Sequence, residues 1–255
     1  MSGFTFYDHT TAEYAADFAV LLRCLGGRDD LDAFVARVLA PYERGAVVVD
    51  WGAGSGAMTR RLLRRFDAVH AVEPSAYQRQ LLARDCPGAH IVAGTIHDAD
   101  VPGPIDVAFL RHVLYHVPEY KWGAYVLQAA RRLSPRGVLV VTLKRPDSGC
   151  NVLLDAFGAR RFDLFTLNEE LSRAPEYQVE WVSVPAPIVT RSFEETCAIA
   201  RFMLNDRPAD AFARPVTSEA FEAYVRRHLW DEDCGAGGWR CDDLHCLVRP
   251  NPFWR

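Results

Sequence analysis

The stretch Val47-Val48-Val49-Asp50-Trp51-Gly52-Ala53-Gly54-Ser55-Gly56 decides how this chain folds. It opens as an apolar run, passes through one carboxylate and ends in three alternate glycines. A short apolar run bounded by turn residues reads as a strand buried on both faces. The glycines permit a tight turn and let a ligand approach backbone N–H groups closely. Helical patterning resumes over 57–66, which puts the loop at a strand-to-helix junction. At the carboxyl edge of an open α/β sheet, such a junction is where a cofactor binds.

The same rhythm continues outward. Short apolar strands are predicted at 68–72, 89–92, 105–110 and 137–143, alternating with helices at 76–84 and 123–133. Upstream, Tyr14, Phe18, Leu21, Leu22 and Leu25 recur at helical steps; Gly26-Gly27 breaks that helix, and a second runs to about residue 40 before Pro41. Beyond Lys144 the pattern loosens into a helix near 152–157, a strand at 178–184, helices at 193–204 and 218–229, and a last strand at 244–249. The fold expected is α/β: a Rossmann-like, mostly parallel seven-stranded sheet with helices on both faces. One structural domain is expected to comprise an N-terminal helical lid (1–44), a core (45–191), a helical cap inserted at 192–242, and a final core strand with its tail (243–255).

Composition removes several function classes. With 29 basic and 33 acidic side chains among 255 residues, the formal charge is −4, against the basic face of a nucleic-acid binder. The pairs Arg60-Arg61 and Arg64-Arg65 recur at helical spacing and read as a solvated helix face. No apolar run approaches the length of a membrane span, and Met1-Ser2-Gly3-Phe4 lacks the features of a secretory signal. A cytoplasmic location follows as the expectation, with all seven cysteines as reduced thiols.

Gly52, Gly54 and Ala57 fit the dinucleotide pattern G-x-G-x-x-G/A, so nicotinamide binding has to be weighed. Asp50 argues against it, because a carboxylate repels pyrophosphate and attracts an ammonium. S-adenosylmethionine carries an ammonium and a sulfonium and no phosphate. Glu73, ending the next strand in Ala71-Val72-Glu73-Pro74, supplies an acceptor-only carboxylate for the two hydroxyls of a ribose.

With these residues in place, the chain resembles the class I S-adenosylmethionine-dependent methyltransferases. The resemblance rests on 47–56, on Glu73-Pro74-Ser75, and on Leu133-Ser134-Pro135-Arg136-Gly137 before a strand, and covers roughly residues 45–145. It implies S-adenosylmethionine as cofactor. The backbone at Gly52 and Gly54, with Asp50, would face its methionyl end. Glu73 and Pro74 would hold the ribose, while the loop with Thr95, Ile96 and His97, together with Leu110, would flank the rest. Many relatives carry an acid where Thr95 stands, which leaves the adenine contact to His97 or Asp98.

The chain is also similar to the histamine N-methyltransferase-like small-molecule methyltransferases through Glu73-Pro74-Ser75-Ala76, Leu114-Tyr115, Ser148-Gly149 and the opening Asp8-His9 followed by Tyr14 and Phe18. That resemblance implies an amine pocket drawn from Phe6, Tyr14 and Phe18, from His112, Tyr115 and His116, and from Cys150, Leu154 and Phe162. Gly26-Gly27 falls where an amine-binding acid is expected, and Cys150 and Leu154 replace aromatic residues, which argues against histamine itself. Phe4, Phe6, Tyr7 and Tyr14 crowd the amino terminus and are read as part of a lid.

Methyl transfer needs a nucleophile with a lone pair aligned against the S–CH₃ bond in a site that excludes water. His112 and His116 are the candidate bases and Tyr115 the candidate for orienting the acceptor. Packing is the competing role for the two histidines. Their i, i+4 spacing also suits a helical metal pair, yet no third ligand accompanies them. Cys234, Cys241, His245 and Cys246 lack the tight C-x₂₋₄-C spacing of a zinc site, so no metal is expected. A small-molecule substrate is the expected partner, with monomer and homodimer both open. Other uses of the same site are cyclisation of S-adenosylmethionine to azetidine-2-carboxylate plus methylthioadenosine, non-catalytic cofactor binding, and dehydrogenase chemistry.

Overall fold

The computed structural model describes residues 4–7 and 11–254; Asp8 and His9 lie outside the described residues. In chain order the elements are α1 (Ala12–Cys24), α2 (Arg28–Leu39), β1 (Val48–Trp51), α3 (Ala57–Leu63), β2 (His70–Glu73), α4 (Ala76–Asp85), β3 (His90–Ala93), β4 (Ile105–Arg111), α5 (Trp122–Ala130) and β5 (Leu133–Lys144). There follow α6 (Gly149–Ala156), α7 (Leu167–Ser172), β6 (Tyr177–Val184), β7 (Pro187–Thr190), α8 (Phe193–Leu204), α9 (Ser218–His228), β8 (Trp230–Asp231), β9 (Ala236–Arg240) and β10 (Asp243–Pro250). They divide into a sheet unit, residues 35–143, 164–182 and from 244 on, and a helical unit, residues up to 34, 144–163 and 183–243. That division gives 144–163 and 183–191 to the helical unit, where the sequence pattern had placed them in the core.

The sheet unit is built on seven strands in the order β3-β2-β1-β4-β5-β10-β6. β1 pairs parallel with both β2 and β4, and β4 pairs parallel with β5. Val48, Val49, Val107, Ala108, Phe109, Val138, Leu139 and Val140 are all 0 % exposed, as expected of central parallel strands covered on both faces. This is the α/β, mostly parallel seven-stranded architecture that the strand–helix rhythm implies.

Asp106 and His245 tie strands of this unit together. Asp106 accepts from Val47 N at 2.9 Å and from Ser134 Oγ at 2.7 Å, tying the start of β1 to β5. His245 is wholly buried with Nδ1 2.8 Å from Thr142 Oγ1, so it serves the packing of the sheet. Cys246 beside it is also buried, and desolvation pushes its thiol up to about 12.

The helical unit packs α1 against α8 and holds a second, three-stranded sheet in the order β7-β9-β8, which the sequence pattern does not reveal. Its strands are two to five residues long and one carries Gly237-Gly238. Gly26-Gly27 finds its reason here. Gly26 N donates to Pro187 O at 2.7 Å, Leu25 bridges Ile188, and a Cβ on Gly27, at φ 70°, would run into Pro185 O. The position at which the family resemblance implies an acid is occupied by a close backbone crossing.

Cys150 and Cys241 are joined by a disulfide with Cα atoms 6.1 Å apart, which corrects the expectation of seven reduced thiols. Among the described residues no helix is long and apolar enough to cross a membrane.

Candidate cofactor site and acceptor elements

In the sheet unit, β1 and β2 end side by side, with Asp50 opposite Ala71 and Trp51 opposite Val72. Gly52 N and Ala53 N both donate to Val72 O, at 2.8 and 3.0 Å, so the chain turns sharply as it leaves β1. The three glycines have positive φ of 69°, 54° and 92°, a region that only glycine enters without strain. Their reasons differ otherwise. A Cβ on Gly52 would overlap Val113 Cγ2, and one on Gly56 would lie 2.5 Å from Cys86 Sγ and 2.7 Å from Leu82 Cδ1. A Cβ on Gly54 would meet nothing within 4 Å, so this glycine faces open space.

Two buried carboxylates flank that space. Glu73 is 7 % exposed; its Oε2 accepts from Gly54 N at 2.9 Å and its Oε1 from Ser75 N at 2.8 Å. A carboxylate has about four lone-pair sites, so two remain for the paired hydroxyls of a ribose. Asp50 is 2 % exposed and accepts from Thr59 Oγ1 at 2.6 Å. Burial pushes its carboxyl up to about 6, against the hydrogen bond from Thr59 and the positive charge of Arg111; Glu73 adds a smaller upward push. A buried anion that is hard to ionise gains most from a cationic ligand. The donor set therefore suits a nucleoside that carries a positive charge.

The loop after β3 closes on itself. Asp98 accepts from Thr95 N and Thr95 Oγ1 at 2.6 and 2.7 Å, and those bonds hold its carboxyl below the usual range. Asp98 is thus turned toward its own loop. Ile96 is buried, while His97 is exposed and meets Tyr125 of α5 edge-on at 5.1 Å. Pro74 is exposed after β2. Leu110 is 0 % exposed, near the end of β4.

After β4 the chain enters a strained turn. His112 has φ 58° and its N donates to Thr142 O at 2.8 Å. Its ring lies parallel to that of Tyr115, with centroids 5.9 Å apart and planes 9° off. A short 3₁₀ turn covers Leu114–His116, and Trp122 Nε1 clamps it by donating to Leu114 O at 3.0 Å and Val117 O at 2.9 Å. The i, i+4 spacing of His112 and His116 is therefore not that of one α-helical face: His112 is left-handed and half-buried, His116 exposed.

The remaining candidates belong to the helical unit. Phe6 packs on Phe4 and Phe212, with centroids 4.9 and 5.2 Å away. Tyr14 and Phe18 of α1 lie against Phe202 of α8 at 5.0 and 5.3 Å. Cys150, Leu154 and Phe162 are at most 5 % exposed. Cys150 is spent in the disulfide, and Phe162 is fixed by Asn151, whose Oδ1 accepts from Phe162 N at 2.8 Å. They correct the expected pocket, because burial leaves them inside the unit's packing. Phe4 and Tyr7 are likewise tied down: Phe4 N donates to Val216 O at 3.3 Å and Tyr7 N to Asn205 Oδ1 at 2.7 Å.

Residues 26–181 match the family model described as a methyltransferase domain. The chain belongs to this methyltransferase family. Its cofactor is S-adenosylmethionine. An uncharacterized methyltransferase of Geobacillus kaustophilus is 28 % identical over 114 residues, 40 % of this chain and 53 % of that protein. The chain spans about half the length of the curated relatives it matches. Among solved structures, a putative methyltransferase from Bacillus halodurans has a TM-score of 0.59 at 15 % identity, covering 86 % of this chain and 99 % of that one. The methyltransferase of Thiobacillus denitrificans in complex with S-adenosyl-L-homocysteine has a TM-score of 0.51 at 17 % identity, with coverage of 88 % and 92 %. At these identities the likeness is one of fold.

Thr59 and Arg111, which act directly on Asp50, do not stand out in the sequence. The usable signal for Thr59 is its place on α3 one turn past the glycine loop; Arg111 carries none beyond ending a strand.

Proposed function

We propose that this methyltransferase domain transfers a methyl group from S-adenosylmethionine to the amine nitrogen of a small molecule. Bound S-adenosylmethionine supplies an electrophilic methyl group on a sulfonium. In this reading Asp50 and the backbone at Gly52 and Gly54 hold the methionyl end, and Glu73 and Pro74 hold the ribose. Thr95, Ile96 and His97 border the adenine.

The observation that carries the catalytic part is the backbone of His112. A non-glycine residue at φ 58° costs energy, and such strain persists where the surroundings impose it, often at working sites. Here His112 N is held by Thr142 O, and the Trp122 clamp fixes the turn that follows. An imidazole set there can take the proton that an ammonium must lose before its nitrogen has a lone pair. Tyr115, parallel to that ring, orients the acceptor. The resemblance to histamine N-methyltransferase-like enzymes supports an amine.

Incubation with methyl-labelled S-adenosylmethionine and a panel of amines and amino acids tests this reading. Label on nitrogen, with release of S-adenosylhomocysteine, is expected. Label on no nitrogen, or methylthioadenosine formed without an acceptor, overturns it.

Asp50 adds a pH signature. Its ionised form attracts the cofactor's ammonium, so affinity for S-adenosylmethionine should fall by up to about tenfold per pH unit below about 6. Folding responds in the opposite sense. The cost of the buried charge is absent below the ordinary Asp pKa of 3.8 and grows as the pH rises toward about 6. Calorimetric titrations from about pH 5 to 8, on wild type and Asp50→Asn, check this; a slope that survives in the variant refutes it.

A further inference from the structure

A cavity of about 270 Å³ in the helical unit is lined by Arg145, Asp147, Ser148, Ser183, Arg240 and Asp242. Its two charged segments, 145–148 and 240–242, are fastened to each other. Arg145 N donates to Asp242 O at 2.9 Å, and Ser148 N closes its turn by donating to Arg145 O at 3.0 Å. Asn151 Nδ2 donates to the same Arg145 O at 2.8 Å. Behind the other segment, Cys241 N donates to Ala186 O at 3.2 Å and Ala186 N to Asp242 Oδ1 at 3.3 Å. The disulfide between Cys150 and Cys241 ties the first turn of α6 to that segment. A frame held in this way spares a ligand much of the cost of ordering its site.

Each segment carries one arginine and one aspartate. Arg145 grips Asp147 twice, with Nε and Nη2 each 2.8 Å from a carboxylate oxygen, while Arg240 donates Nη2 to Asp242 Oδ2. The segments also act on each other. Arg145 is held above the ordinary arginine range first by its bond to Asp147, with the charge of Asp242 adding to it. Asp147 is held below the usual carboxylate range first by its bond from Arg145, with the charge of Arg240 adding to it. The four groups therefore form one set, two charges of each sign around one cavity.

Stability gives little reason for that set. Exposed ion pairs contribute little, and the Arg240 side chain is 81 % exposed. Asp242 is 7 % exposed, a buried carboxylate whose ion-pair partner lies at the surface. A guanidinium has five N–H groups, and the two aspartates occupy a minority of those on Arg145 and Arg240. A simple anion would meet two carboxylates here, and a simple cation two guanidiniums. A ligand carrying both charges meets an opposite charge at each end. Pockets for drug-sized molecules run to about 300–1,000 Å³, so this smaller space suits a small dipolar molecule.

We propose that this cavity binds a free α-amino acid, with Asp242 receiving the ammonium and Arg145 and Arg240 the carboxylate. The site stands apart from the amine reading above and takes no step of methyl transfer.

Calorimetry on the full chain with L-alanine, L-alaninamide and N-acetyl-L-alanine tests it. S-adenosylhomocysteine is kept at saturation, so that binding where the cofactor's own amino-acid end sits is not mistaken for binding here. L-Alanine should bind at least about tenfold more tightly than either analogue, since one lacks the carboxylate and the other the ammonium. Arg240→Gln should weaken L-alanine by about tenfold and leave S-adenosylhomocysteine binding unchanged. Its exposed side chain makes that variant safe for the fold. Asp242→Asn should lower L-alanine to the level of N-acetyl-L-alanine. Asp242 also holds Ala186 N, so thermal melts accompany this variant, and Arg240→Gln decides alone where it does not fold. No heat with L-alanine, equal affinity for the three ligands, or wild-type affinity in Arg240→Gln each overturns the proposal.

Discussion

Replacing Glu73 with alanine is expected to weaken S-adenosylmethionine binding by about a hundredfold or more, the largest loss from any single side chain in the sheet unit. Two effects combine. In the proposed complex the carboxylate accepts both ribose hydroxyls, and hydrogen bonds to a charged group contribute about 1.5–3 kcal/mol each. Glu73 also accepts from Gly54 N and Ser75 N, so its removal leaves the glycine loop and the start of α4 without their shared acceptor. Glu73→Gln separates the two. A glutamine has one acceptor oxygen and would turn an NH₂ toward one of the two backbone donors. Its loss should fall between wild type and alanine, at about tenfold. Isothermal titration with S-adenosylmethionine, alongside thermal melts to follow folding, gives both numbers. Wild-type affinity in the alanine variant would remove Glu73 from the cofactor site.

Much of the sheet unit is legible because its signals are local. Apolar runs at 47–50, 105–110 and 137–143 identify strands without knowledge of their neighbours, and glycines at a strand end identify the turn. Glu73 is legible for a similar reason: an acid ending the strand next in sequence to a glycine loop has few other uses. The helical unit resists such reading because its determinants are distant in sequence. Cys150 and Cys241 are 91 residues apart, so nothing near either announces the bond. The strands β7 and β9 are four and five residues long and pair across the whole of α8 and α9. Phe162 has the residue type of a pocket wall and is enclosed beneath Arg207 instead.

The histidine pair shows a different limit. Spacing of four residues implies a shared face only if the backbone is α-helical. His112 sits at φ 58° and a 3₁₀ turn follows, so the periodicity does not apply.

Gly52→Ala should lower both stability and cofactor affinity, and Val113 provides the means to apportion the loss. The substitution introduces two costs. At φ 69° an alanine is held in the left-handed region, costing on the order of 1 kcal/mol. Its Cβ would also overlap Val113 Cγ2, and relieving such overpacking costs about 1–3 kcal/mol. Val113 is half-buried in the turn that carries His112, so the displacement moves that turn as well as the glycine loop. The double variant Gly52→Ala/Val113→Ala removes the overlap and keeps the backbone strain. It should recover stability relative to the single variant by about 1–2 kcal/mol, a coupling expected only of residues in contact. Thermal melts and cofactor titrations on the two single variants and the double variant close the cycle. Strict additivity would show that Gly52 and Val113 do not meet, and would detach the glycine loop from the turn after β4.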